Sequence, residues 1–182
     1  MPEICTLRPN VTREEAIREF NSRGVRGFFR AMLLGRLRRV AKVYIPFRLY
    51  RAHITDGAKH QSVLLALDAF CGRLDLYSFD SIPDAGATVR LESRNLPQPR
   101  LPEERTREIV IARIRRIVFR TGFFRVRDLH IRVELVLPEL HVPYWVGFRG
   151  DRGHARVAVM DAVRRRLEGA RLRQLVLEWL AG

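Results

Sequence analysis

The feature that most constrains this chain is an ordered recurrence. Gly27-Phe28-Phe29-Arg30 returns as Gly122-Phe123-Phe124-Arg125, and Tyr44-Ile45-Pro46-Phe47 as His141-Val142-Pro143-Tyr144. Asp68-Ala69-Phe70 with Arg73-Leu74-Asp75 returns as Asp161-Ala162-Val163 with Arg166-Leu167-Glu168. The blocks keep their order at an offset of about 95 residues. One such match is chance; three in register point to a duplicated unit. A chain of 182 residues has room for two small units, and it buries roughly 70% of its unfolded surface without a disulfide or a metal.

Each unit opens on a helix. Thr12 with Glu15 has the form of a capping box, and Ala16, Ile17 and Phe20 make an apolar stripe that stops near Gly24. Pro102 with Glu103 and Glu104 starts the second helix, with Ile109, Ile114, Ile117 and Val118 at helical spacing up to Gly122. Hairpins follow. Val43 to Ile54 turns at Asp56-Gly57 into Ser62 to Leu67, and Leu140 to Arg149 turns at 150–153 into Ala155 to Met160. Leu129 to Leu137 alternates as a further strand, and Leu74 to Phe79 reads as another. After Asp161-Ala162 the chain reads as a helix to Trp179, with Val163, Leu167, Ala170, Leu175 and Trp179 on its buried face. Over 25–40 local periodicity favours a basic amphipathic helix while the repeat favours a strand, and both readings stay open.

The basic residues are 32 Arg and 2 Lys, Lys42 and Lys59, for a net charge of +14. The Arg-to-Lys ratio has two readings, an anionic partner met by bidentate guanidinium contacts or a genome that prefers arginine codons, and the second is favoured. The charge itself attracts polyanions. Basic clusters at Arg36, Arg38 and Arg39, at Arg113, Arg115, Arg116 and Arg120, and at Arg164, Arg165 and Arg166 are candidate contacts for nucleic acid or another anion. Weighed against that is an ordinary solvated face, which most charge runs mark. Exposed rings among Tyr44, Phe47, Tyr50, Tyr144, Trp145 and Phe148 would make a base-stacking platform, whereas buried ones are core, the favoured reading.

Asp68 and Asp161 have two readings: a carboxylate pair for acid–base or metal chemistry, or caps that accept backbone N–H groups. The cap explains both without a ligand. His53, His60, His130, His141 and His154 show no ligand spacing, Cys5 and Cys71 no metal or redox spacing, and no nucleophile elbow or phosphate loop occurs. No catalytic, cofactor-binding or metal residue is expected. The first ten residues carry no apolar run and no segment has the length of a membrane span, so a cytoplasmic protein without a transmembrane segment is expected.

Helix, hairpin, then Asp-Ala near the end of the second arm is an order that resembles the PepSY type of small α+β repeat. In that family a strand ends in an Asp-x-x-x-Gly turn. Asp68-Ala69-Phe70-Cys71-Gly72 has that shape, with Cys71 where the family often has Ser or Thr. Asp161 to Arg165 lacks the Gly, and the Pro46 and Pro143 blocks are not part of the pattern. PepSY modules usually lie outside the cytoplasm, and no export signal is read here. The resemblance implies a non-enzymatic regulatory or binding module.

The resulting expectation is an α+β protein of two pseudo-symmetric repeats, each a helix followed by antiparallel strands, with a C-terminal helix. Their bounds are 1–82 and 103–182, joined by a Pro-rich linker at 83–102. The expected function is a basic, non-enzymatic interaction module, with an acidic protein or a second copy as partner. A nucleic-acid-binding protein is the alternative, and an enzyme with an unrecognised site comes third.

Overall fold

The computed structural model describes residues 1–21, 37–122, 128–150 and 156–182. In chain order the elements are β1 (Glu3–Leu7), α1 (Arg13–Phe20), β2 (Leu37–Asp56), β3 (Lys59–Asp68), β4 (Tyr77–Phe79) and β5 (Thr88–Glu92). Then come α2 (Glu103–Gly122), β6 (Leu129–Arg149), β7 (Arg156–Asp161), β8 (Arg166–Leu167) and α3 (Ala170–Ala181). The strands hydrogen-bond into one eight-stranded sheet in the order β4-β3-β2-β6-β1-β5, with β7 on β6 and β8 on β7.

This corrects the expectation of two pseudo-symmetric repeats, each a helix followed by its own antiparallel strands. The chain is α+β only loosely: among the described residues it is mostly strand, with three helices. Two strands are far longer than the hairpin arms expected, 20 residues in β2 and 21 in β6. Every residue added to a strand adds backbone donors and acceptors that need partners, so long strands recruit neighbours into one ladder. The stretches Leu129–Leu137 and Leu140–Arg149 are one strand, although Pro138 and Pro143 lie within it. Proline keeps a strand-compatible φ and loses only its donor; the Pro143 carbonyl still accepts from Ala162 N at 3.1 Å. The stretch read as a linker supplies β5.

Two compact units divide the chain, and neither is contiguous in sequence. The first holds 1–45, 89–97 and 142–182; the second holds 46–88 and 98–141. In the first, the capping box on α1 forms as read: Thr12 Oγ1 accepts from Glu15 N at 3.2 Å and Glu15 Oε2 accepts from Thr12 N at 2.8 Å. That bond from Thr12 N, with help from Arg165, holds the Glu15 carboxyl below its usual range. Helix α1 buries Ala16 and Phe20 against Val11, Val40, Trp145 and Met160. The Trp145 indole N–H donates to Val11 O at 2.9 Å, which ties the segment before α1 to β6. Residues 37–40 are strand, while 25–36 lie outside the described residues, as do Phe28, Phe29, Phe123, Phe124 and His154. After Asp161 the chain turns into β8 before α3 begins at Ala170, so the helix is shorter than read and buries Leu172, Leu175 and Val176.

In the second unit β2 and β3 form the expected hairpin, Phe47 opposite Asp68 through Asp56 opposite Lys59, closed at Gly57 with φ +58°. Strand β4 extends it, with Ala66 opposite Tyr77. Helix α2 covers the core with Val110 and Ile114, packed on Tyr50, Ala52, Leu67 and Val133. Each such buried aliphatic side chain stabilises the unit by ~1.5–3 kcal/mol.

Candidate functional site

The two repeat-related aspartates have the same local geometry, each within its own unit. In the second unit Pro46 O accepts from Ala69 N at 2.8 Å, and Asp68, fully buried, accepts from three backbone N–H groups. Cys71 N and Gly72 N reach Oδ1 at 2.8 Å, and Leu74 N reaches Oδ2 at 2.9 Å. In the first unit Tyr144 pairs with Asp161, whose Oδ1 accepts from Val163 N and Arg164 N, both at 2.8 Å. Gly72 and Arg165, each four residues after its Asp, both take left-handed backbone, φ +66° and +55°. These carboxylates are turn caps. Asp68 spends its acceptors on the backbone, and Asp161 is pushed up by burial, partly offset by the two N–H bonds it accepts.

Gly72 is fixed by contact as well as by φ. A Cβ there would lie 2.8 Å from Ile109 Cδ1 and 2.9 Å from Leu101 Cδ1. Arg165 points outward, so the equivalent position tolerates a side chain: it reaches Glu15 Oε1 at 2.7 Å.

Cys5 is exposed and Cys71 half-buried; both are thiols. Burial, with the charge of Asp68, pushes the Cys71 thiol up, the wrong direction for a nucleophile. Among the described residues no three His, Cys, Asp or Glu side chains gather to hold a metal. No described helix is long and apolar enough to cross a membrane.

The rings follow the favoured core reading, and several arginines are structural. Tyr44, Phe47, Tyr50, Tyr144 and Trp145 are buried and Phe148 is half-buried. Tyr50 OH lies 2.5 Å from Thr106 Oγ1, which donates to Glu103 O at 2.8 Å and receives Arg48 at 3.3 Å. Arg113 donates to Gly72 O at 2.5 Å and to Leu74 O, bracing the Asp68 turn from α2. Arg149, buried, donates to Phe20 O.

Of the residues singled out as anion contacts, Arg36 lies outside the described residues. Arg38 and Arg39 are exposed on β2, Arg164 is half-buried in the Asp161 turn, and Arg165 is exposed but paired with Glu15. All four belong to the first unit, and Arg115 and Arg116 to the second. Arg115 and Arg116 are exposed on the outer face of α2 and, like Arg120, form no ion pair among the described residues. Beside them Ile117 and Phe119 are 53% and 39% exposed. Helical spacing groups Ile117 with Ile109, Ile114 and Val118. The helix buries Val110 and Ile114 and packs Ile109, Ile111 and Val118 beside them, while Ile117, three and seven residues on from the buried pair and so on their side of the helix, stays exposed in its last turns. From Ala112 to Arg120 the helix has no acid, so its last turns present a cationic, partly apolar face.

The first unit also holds a cavity of about 320 Å³, which sequence reasoning did not find. Ala41 and Val43 of β2, Phe148 of β6, and Trp179 and Leu180 of α3 give it apolar walls; Arg39 and Asn95 complete the lining. A smaller cavity in the same unit, about 40 Å³ beside Arg149 and Glu168, has room for little more than water. No family model, no curated protein and no solved structure matches the chain.

Proposed function

We propose that the protein is a non-catalytic interaction module that docks an acidic protein segment on the outer face of α2. The observation that carries this reading is the mixed character of that face. Arg115, Arg116 and Arg120 supply positive charge with no ion pair among the described residues, Phe119 adds exposed apolar surface on their side of the helix, and Ile117 is exposed in the same two turns. Arginine binds carboxylates bidentately, and neighbouring apolar side chains add burial that a simple polyanion does not reward. The PepSY-like turn at Asp68 to Gly72 implies the same non-enzymatic class. A second copy of the chain is a poor partner for this face, because a two-fold contact would bring like charges together.

The nucleic-acid reading loses support because the rings that would stack on bases are core or half-buried, leaving phosphate contacts alone. The test is a titration of an acidic, leucine-containing peptide against single- and double-stranded DNA and RNA, across a salt series. The peptide is expected to stay bound at about 150 mM salt and to weaken at least ~10-fold in an Arg115→Glu/Arg116→Glu variant. Tighter binding of an oligonucleotide than of the peptide at that salt would overturn the proposal in favour of nucleic acid.

A further inference from the structure

We infer that the cavity in the first unit is a binding site for a linear monocarboxylate with an apolar tail. The residues at positions 39, 41 and 43 alternate onto one face of β2, which puts a guanidinium, a methyl and an isopropyl group along one wall. Arg39 is exposed yet lines the cavity, which places it at the mouth; it forms no ion pair among the described residues. Asn95 is held by its backbone: its carbonyl accepts from Tyr44 N at 2.9 Å and its N–H donates to Ser93 Oγ at 3.1 Å. Its side-chain amide makes no hydrogen bond among the described residues. A side-chain amide on an anchored backbone and a guanidinium with no ion pair among the described residues are the donors a carboxylate needs. Among the described residues no acidic side chain lines the space.

The rest of the lining selects the tail. Val43, Phe148 and Leu180 offer apolar surface, Trp179 adds a largely apolar ring, and Leu180 keeps 49% of its own surface exposed. A volume of about 320 Å³ is at the small end for ligand pockets and suits a chain of roughly ten carbons. A neutral alcohol of that length would leave the guanidinium unanswered, and a cationic amphiphile would meet a like charge.

The experiment uses the full chain and three probes below their micelle concentrations, decanoate, decanol and decyltrimethylammonium, at about 150 mM salt. Tryptophan emission reports binding, because Trp179 lines the cavity while Trp145 is buried with its N–H on Val11 O. Calorimetry provides an independent reading. Decanoate is expected to bind saturably, at least ~10-fold more tightly than decanol, with the cationic probe weaker still. Arg39→Gln should bring decanoate to the decanol level. Ala41→Phe, which fills the cavity, should abolish binding, and Arg39→Gln alone decides the matter if that variant does not fold. Arg115→Gln/Arg116→Gln should leave decanoate binding unchanged, whatever the fate of the acidic-peptide proposal. Equal affinity for decanoate and decanol would overturn the inference. So would an Arg39→Gln variant that binds as wild type, or equal losses from neutralising Arg39 and Arg115/Arg116.

Discussion

Replacing each buried aspartate by asparagine should separate two turns that look alike. Asp68 uses both carboxylate oxygens, two backbone N–H groups on Oδ1 and one on Oδ2. In Asp68→Asn the side-chain oxygen can keep the Cys71 and Gly72 bonds, but an NH₂ group then faces Leu74 N–H. One hydrogen bond to a charged acceptor is lost, about 1.5–3 kcal/mol, and the other two weaken with the charge. A cost of about 3 kcal/mol follows. Asp161 takes both of its bonds on Oδ1, so Asp161→Asn keeps them. Burial raises the Asp161 pKa above 3.8, so its ionised form opposes folding. The stability due to the protonated acid is complete below 3.8 and is lost as pH rises through the raised value. Asp161→Asn should therefore be within about 1 kcal/mol of wild type, or stabilising, at neutral pH, with any gain fading under acid. A difference of at least ~2 kcal/mol between the variants corresponds to about 4–8 °C in Tm for a chain of this size. The assay is urea unfolding followed by far-UV circular dichroism and by tryptophan emission. Both tryptophans, Trp145 and Trp179, lie in the first unit, so emission isolates the unit that holds Asp161. Equal losses in the two variants would refute the reasoning that oxygen-by-oxygen use sets the cost.

Two further outcomes follow from the second unit. Gly72→Ala should cost about 1–2 kcal/mol, seen as a lower urea midpoint with unchanged slope, because a residue with a Cβ is strained at φ +66° and the tips of Ile109 and Leu101 must shift to make room. Tyr50→Phe should cost about 1 kcal/mol at neutral pH by removing the bond to Thr106. Burial raises the Tyr50 pKa above 10.0, so the stability tied to its protonated form is lost as pH rises through that raised value. The deficit of Tyr50→Phe relative to wild type should shrink in urea midpoints measured on the alkaline side.

What the sequence determined by itself was local. The Thr12–Glu15 capping box, the Pro102 start of α2, the Asp56-Gly57 turn and the capping role of both aspartates rest on interactions within a few residues, and such interactions are written in neighbouring side chains. The pairing of Asp68 with Asp161 was legible too, but not that Arg165 takes the same left-handed backbone as Gly72, since the second segment lacks the Gly that marks such a position. The tertiary structure decided the rest. Pattern alone divides β6 at Pro138, but ladder partners carry the strand through it. It also predicts contiguous repeats, whereas each compact unit takes part of β2 and part of β6. The candidate sites divide in the same way. Helical periodicity puts Ile117 on the same side of α2 as Val110 and Ile114 but does not say which of those positions the core covers, and in the structure Ile117 and Phe119 are both exposed near the arginines. The cavity draws Arg39, Asn95, Phe148 and Trp179 from four distant segments, and only packing can bring together residues that share no local pattern.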